Sequence, residues 1–298
     1  MTRALFVTTA TSEPRENVDA WVNTMGPAGH VTFDINEEPQ DAKILASAKD
    51  FAPDVIFYTG ATEGLGVPGD DTLRALRKIA PSIIMQGDFG DPPWWPMVEH
   101  YRKVDCFDLM VAMDGTDAPV DHITLTPFDL AKFARPPKKT LHCGFAGNHV
   151  PKERWELLQA MHGTEDKRSG ILHRLGDIVR LRERELDGDY NNYAAFLRRC
   201  RMILNTSWAG SGTVHHMKGR VLEAAFAGTA VLEMAESPIA RWFPDDSYFT
   251  YGSIEEARYV IETASVEEIT LRATKFETHA REHYNSRRIY GDIMERLH

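Results

Sequence analysis

An α/β fold of two Rossmann-like domains facing a cleft follows from three features of the sequence. Short β-rich apolar runs alternate with segments of helical period through the first half. The same alternation restarts after residue 140 and continues nearly to the end. Between the two blocks, residues 134–140 bring a Pro pair and three cations together and break both periods, as a linker does. A chain of 298 residues has room for two domains of ordinary size. The predicted domains are 1–134 and 141–298.

The elements follow in order. Residues 4–8 form an apolar strand, and a helix follows with Val18, Trp21, Val22 and Met25 on one face. Residues 31–35 are the next strand and 42–51 the next helix. A strand over 54–58 leads to a helix marked by Leu73, Leu76 and Ile79. Residues 82–85, 109–112 and 123–125 add strands. Strands separated by helices of this length imply a parallel sheet with crossovers.

In the second block, residues 141–145 read as a strand and 151–161 as a helix with Trp155, Leu157, Leu158 and Met161 apolar. A strand over 171–175, a helix over 193–199 and a strand over 202–204 come next. Val221, Leu222, Ala225 and Phe226 recur at helical spacing, Gly228 stands where a helix ends in a left-handed residue, and 230–232 continue as a buried strand. Ser237 before Pro238 marks a helix start, and Ser253 with Glu256 and Ser265 with Glu268 are capping boxes.

Composition narrows the function classes. With 26% charged and 43% hydrophobic residues the chain reads as a soluble globular protein, and no apolar run approaches the roughly 20 residues of a membrane span. Residues 1–7 read as a strand, and no signal peptide is expected. Cys106, Cys143 and Cys200 are odd in number and far apart, which suits a reduced cytoplasm and predicts no metal cluster. A net charge of −10 argues against bulk affinity for nucleic acid, though not against a local basic groove.

Residues 218–233 carry the chemistry. Lys218, Arg220 and Glu223 gather at the start of a helix that follows a strand end, where open α/β sheets bind ligands. Two cations beside helix-end N–H groups suit a diphosphate, and Arg220 adds a bidentate fork. The Glu223 carboxylate can accept two hydrogen bonds from a ribose diol. Gly144 and Gly147, with Asn148, lie in a strand-to-helix turn whose backbone N–H groups can approach a phosphate closely. Ser207 sits in a Gly- and hydroxyl-rich loop able to contact a sugar or phosphates. These features together suit a nucleotide sugar.

The order and spacing of these pieces resemble GT-B glycosyltransferases. The pattern Arg-x-x-Glu-Ala-x-x-x-Gly-x-x-Val-Leu, here Arg220, Glu223, Ala224, Gly228, Val231 and Leu232, is similar to their C-terminal signature. The nearest likeness is to the spore-maturation-protein type, related to the family 4 retaining enzymes. It runs from about residue 141 to the end and includes Phe145 to Asn148, Arg154, Tyr193 to Asn205, and a closing stretch from His283 to Arg287. The resemblance implies the GT-B arrangement, a last helix crossing back to the first domain, donor binding by residues 141–298 and acceptor binding by residues 1–134. It implies sugar transfer from a nucleoside-diphosphate sugar with retention, Glu223 on the ribose and Leu175 and Gly176 near the base. No cofactor or metal is expected, and the donor is taken as a UDP-sugar. One departure stands out: the first Glu of the family 4 pattern is replaced by His215, followed by His216, so either imidazole is a candidate for the donor sugar or phosphate.

On the acceptor side, Asp88 and Asp91 stand past a strand end beside Trp94 and Trp95. Tryptophans stack on sugar faces, and a nearby carboxylate can act as base. The acceptor itself, whether glycan, small molecule, protein or DNA, is not specified by these residues. Rival readings attach to particular features. The missing first Glu suits a nucleotide-sugar-binding protein without turnover, and compact GT-B enzymes that modify DNA bases keep the enzyme but change the acceptor. Gly64, Gly66 and Gly69 match the dinucleotide fingerprint, with Asp88 19 residues beyond Gly69, although the motif follows the third strand and Pro68 interrupts it. Asp187 and Asp189 mimic a metal motif in what reads as a turn.

Overall fold

The structure is a computed structural model that describes residues 1–10, 12–133, 138–146, 152, 156, 157 and 190–297. The helices expected over 151–161 and the strand over 171–175 lie outside the described residues in whole or in large part. So do Gly147, Asn148, Arg154, Leu175, Gly176, Asp187 and Asp189. The chain divides into two compact units, Met1–Asp129 with Asn285–His298, and Leu130–Tyr284.

The first unit is a parallel six-stranded sheet in the order β2-β1-β3-β4-β5-β6. Its strands are β1 (Ala4–Thr9), β2 (Ala28–Phe33), β3 (Val55–Tyr58), β4 (Ser82–Gln86), β5 (Leu109–Ala112) and β6 (His122–Ile123). Helices α1 (Ser12–Thr24), α2 (Asp41–Phe51), α3 (Asp70–Ile79) and α4 (Trp95–Val104) supply crossovers. Strand residues alternate between two buried faces, as a doubly covered sheet requires. Leu5, Val7, Ile56 and Tyr58 pack with Ile44, Leu73 and Val98 on one side. Phe6 and Phe57 stack at 5.0 Å on the other, where Trp21 of α1 meets Phe57 at 5.1 Å. Helix α9 (Ser286–Leu297) closes that second face. Tyr290 packs edge-on to Trp21 at 5.0 Å and donates its phenol to the Asn17 carbonyl at 2.8 Å. Burying each such ring contributes on the order of 2 kcal/mol.

Two local expectations shift. Val22 is 51% exposed and Met25 lies beyond the end of α1, while Glu16 and Asn17 are buried in their place. Asn17 tolerates burial because its side-chain amide donates to the Pro127 carbonyl at 3.0 Å. Helix α4 was masked in the sequence by Pro92, Pro93 and Pro96. Pro92 opens a single 3-10 turn and Pro96 sits in the first turn of α4, where no helical acceptor needs their N–H.

The second unit holds β7 (Leu141–Gly144), β8 (Cys200–Leu204), β9 (Ala230–Met234) and β10 (Phe249–Tyr251), parallel and adjacent in that order. Its helices are α5 (Tyr190–Arg199), α6 (Gly219–Phe226), α7 (Ile254–Thr263) and α8 (Val266–His283). Ser253 and Ser265 each cap a helix by accepting the N–H three residues on, at 3.1 Å in both cases. Ser237 makes no such bond, and only a 3-10 turn, Pro238–Arg241, follows it. Helix α6 stops at Gly228, whose φ of +60° lets Thr229 N–H return to the Ala224 carbonyl at 2.9 Å. Lys139 donates to the last α6 carbonyl, Ala227, at 2.9 Å and to Thr229 Oγ1 at 2.8 Å, and burial holds its ammonium down to about 8. The final helical stretch breaks at Tyr284, after which Asn285 caps α9 through the Arg288 N–H at 3.1 Å.

Candidate functional site

The carboxyl ends of β7, β8 and β9 deliver the polar groups of the second unit. Gly144 ends β7, and buried Phe145 follows it. The Arg220 guanidinium lies over the Phe145 ring at 5.4 Å, so the end of β7 and the start of α6 meet through a cation on an aromatic face. Lys218 occupies the position before α6 with extended backbone and no side-chain cap, and its ammonium donates to His216 Nε2. An ammonium has nothing to accept with, so His216 Nε2 holds a lone pair there.

Between β8 and α6 the chain folds back on itself. His216 N–H reaches the Ser207 carbonyl at 2.8 Å and Ala209 N–H the Val214 carbonyl at 2.9 Å. This return puts Ser207 Oγ 2.7 Å from His215 Nδ1, while the His215 ring lies on Trp208 with centroids 4.0 Å apart. Burial lowers the His215 pKa, with Glu236 opposing and His216 adding to the fall. The ring is therefore neutral at pH 7, with Nδ1 engaged by Ser207.

Glu223 lies one turn into α6 and is buried. Its two oxygens accept from two phenols of α5: Tyr190 on Oε1, and Tyr193 on Oε2 at 2.6 Å. Phe133 meets Tyr190 edge-on at 6.2 Å, and Lys132 lies over the same ring at 5.0 Å. The carboxylate expected on a ribose is thus set in an aromatic pocket with a tyrosine on each oxygen.

Sequence reading missed Glu233. It ends the apolar run of β9, is fully buried, and is pushed by that burial up to about 7, against the pull of Asn205, Met234 N–H, Arg220 and Lys218. The signal was available: an ionisable side chain at a strand position where its neighbours Val231 and Leu232 are core residues. Tyr190 was likewise passed over, since its helix was expected to begin at 193.

In the first unit, Asp88 is exposed past β4, whereas Asp91 is 1% exposed at the start of the 3-10 turn Pro92–Trp94. The two tryptophans part company. Trp94 packs on the apolar core, while Trp95 is 39% exposed and donates its indole N–H to the Phe89 carbonyl at 3.1 Å. A surface cavity of about 390 Å³ opens nearby, lined by Val67, Pro68, Trp94, Met97, His100 and Tyr101 among others. Gly64 and Gly66 are required by close backbone packing, whereas Gly69 stands in open space before α3. A Cβ on Gly66 would stand 1.9 Å from the Asp34 carbonyl oxygen, and one on Gly64 would stand 2.8 Å from the Ile35 Cβ. Gly64 and Gly66 let the loop after β3 lie on the chain that follows β2.

Among the described residues no group of three His, Cys, Asp or Glu is placed to hold a metal ion, and no helix is long and apolar enough to cross a membrane.

No protein-family model and no curated protein matches the sequence. Solved structures do match in three dimensions. Anabaena HepE in complex with UDP-glucose superposes with a TM-score of 0.66 at 13% identity, over 100% of this chain and 99% of that one. The trehalose-6-phosphate synthase OtsA gives 0.65 at 10% identity over 99% of each chain. An alpha-glucosyltransferase in complex with UDP and a 13-mer DNA gives 0.65 at 10% identity over the whole of both chains. These are GT-B structures, and the likeness shows that this chain has the GT-B fold.

Proposed function

We propose that this chain is a glycosyltransferase that moves a sugar from a nucleoside-diphosphate sugar to an acceptor, without a metal and with retention. The observation that carries the reading is the juxtaposition at the start of α6: Lys218 and Arg220 stand beside a helix N-terminus, with the buried carboxylate of Glu223 one turn further in. Charge builds on the leaving diphosphate as the glycosidic bond breaks, and fixed cations aimed at that charge supply the main electrostatic demand of the transfer. Arg220 takes the diphosphate as a fork, steadied by the Phe145 ring beneath it, and Lys218 takes it as a point charge.

Glu223 binds the ribose diol. A carboxylate oxygen can accept more than one hydrogen bond, so the diol either shares the carboxylate with Tyr190 and Tyr193 or displaces a phenol. Ser207 holds His215 by Nδ1 and leaves Nε2 to meet the donor sugar or phosphate. Gly144 ends β7, where a backbone N–H group can approach the phosphates. UDP as the nucleotide is supported by HepE, seen with UDP-glucose in the same fold. The spore-maturation-like type is supported by the arrangement of Arg220, Glu223 and Gly228 without a family 4 Glu at 215. The first unit binds the acceptor, with Asp88, exposed past β4, as the carboxylate offered to its hydroxyl, while the burial of Asp91 withdraws it from that role.

A DNA base as acceptor is the second reading, favoured by the alpha-glucosyltransferase seen with DNA and opposed by a net charge of −10. Isothermal titration with UDP-glucose, GDP-mannose and NADH tests the donor site. UDP-glucose binding that is lost in Arg220→Ala is expected, whereas binding of NADH alone overturns the proposal. Release of glucose from bound UDP-glucose separates an enzyme from a binding protein, and a salt-dependent affinity for duplex DNA separates the two acceptor readings.

A further inference from the structure

Glu233 has a place in the donor site that its carboxyl chemistry defines. Its Oε2 accepts from Asn205 Nδ2 at 2.6 Å and its Oε1 from the Met234 N–H at 3.0 Å. Asn205 is itself fixed, because its carbonyl accepts from the Tyr251 phenol at 2.6 Å and its N–H reaches the Leu232 carbonyl at 2.8 Å. Asn205 Oδ1 is buried and has no partner among the described residues.

The charges acting on Glu233 come from the start of α6, where Arg220 and Lys218 favour its ionised form. The Tyr248 phenol, ahead of β10, feels Glu233 in turn. From α8, which packs on β9, Arg272 is turned to the Tyr248 carbonyl and to Glu268, and Lys275 to Asp246. Strand β8 leads into the neutral Asn205. The two cations that favour a charged Glu233 are therefore the two assigned above to the diphosphate.

We propose that Glu233 is a positioning residue that balances Lys218 and Arg220 while no diphosphate is bound, and that binding of a nucleoside diphosphate sugar is coupled to uptake of one proton by its carboxylate. This rests on the donor site proposed above. The diphosphate brings negative charge to the same cations, which makes an ionised, fully buried carboxylate beside them costlier. The proton comes from solvent and an O–H bond forms on Glu233, with no other bond made or broken. By reciprocity, whatever donor binding does to proton affinity, pH does to donor affinity.

The test is titration calorimetry with UDP-glucose, whose two phosphate groups keep fixed charges over the range used, in buffers of differing ionisation heat. More than about half a proton is taken up per UDP-glucose at about pH 7.5, and affinity falls roughly fivefold per pH unit above about pH 7. Glu233→Gln abolishes both the uptake and this slope. Asn205→Ala removes the donor that favours the ionised form and moves the fall in affinity to higher pH. That shift decides the matter if Glu233→Gln does not fold. Binding without proton uptake, or uptake that persists in Glu233→Gln, overturns the coupling and leaves the donor site standing. No UDP-glucose binding at any pH overturns both.

Discussion

The loop after β3 and the loop after β8 both leave the carboxyl end of a parallel strand and both are rich in glycine, yet they do different things. The first turns its polar and small residues on its own backbone: Gly66 lies on the Asp34 carbonyl, the Tyr58 phenol bonds the Ala61 carbonyl, and Gln86 reaches Gly60. The second gathers side chains that titrate or carry charge, pairing Ser207 with His215, Lys218 with His216 and Asn205 with Glu233. Glycine spacing reports how closely chain segments approach. Buried ionisable groups held by named partners report where chemistry is possible.

Five substitutions break or sharpen that contrast. Arg220→Ala removes a charge-assisted fork and is expected to weaken UDP-glucose binding by about 3 kcal/mol, roughly a hundredfold, read by calorimetry. Glu233 titrates higher in the folded protein, at about 7, than its ordinary 4.5. The native state therefore holds the extra proton between those values, and the stability this contributes is present below the unfolded value and lost as pH rises through the folded one. Urea unfolding should show a loss of at most about 3 kcal/mol between pH 5 and pH 8 that is absent in Glu233→Gln. Gly66→Ala forces the loop off the Asp34 carbonyl and should cost about 2 kcal/mol of stability in the same assay, with nucleotide affinity unchanged. Ser207→Ala loses one hydrogen bond to His215 and should slow donor turnover by about fivefold, worth about 1 kcal/mol. Gly69→Ala, whose Cβ would meet nothing within 4 Å, should shift stability by less than about 0.5 kcal/mol. Were the loop after β3 a dinucleotide cradle, Gly66→Ala and Gly69→Ala would instead abolish NADH binding.

Periodicity was a sound guide where one face alone decides an element. Strands β1, β3, β4, β5, β7, β8 and β9 and the caps at Ser253 and Ser265 stand where alternation and spacing put them, whereas β2 begins three residues early and β10, only three residues long, gave no pattern to read. It failed where a proline hid a helix start, at α4, and where burial chose a polar side chain over an apolar one, as with Asn17 over Val22. For the candidate site, Lys218, Arg220 and Glu223 were legible because local order alone brings them to one helix end. The partners of Glu223 and Glu233 were not, because Tyr190 and Asn205 reach them across 33 and 28 residues. Contacts of that span are set by how strands and helices pack, which no local pattern encodes.

The return of α9 to the first unit has a consequence for how the protein is made. Tyr290 is wholly buried against Phe6, Trp21 and Phe57, so the aromatic layer of the opening strands lacks one ring until the ribosome has passed residue 290. While residues 130–284 are being added, that layer is left uncovered and sticky, a target for chaperones. Expressed without residues 285–298, the first unit carries the same bare patch permanently and should clump, so the chain cannot be cut at residue 129 into two soluble halves.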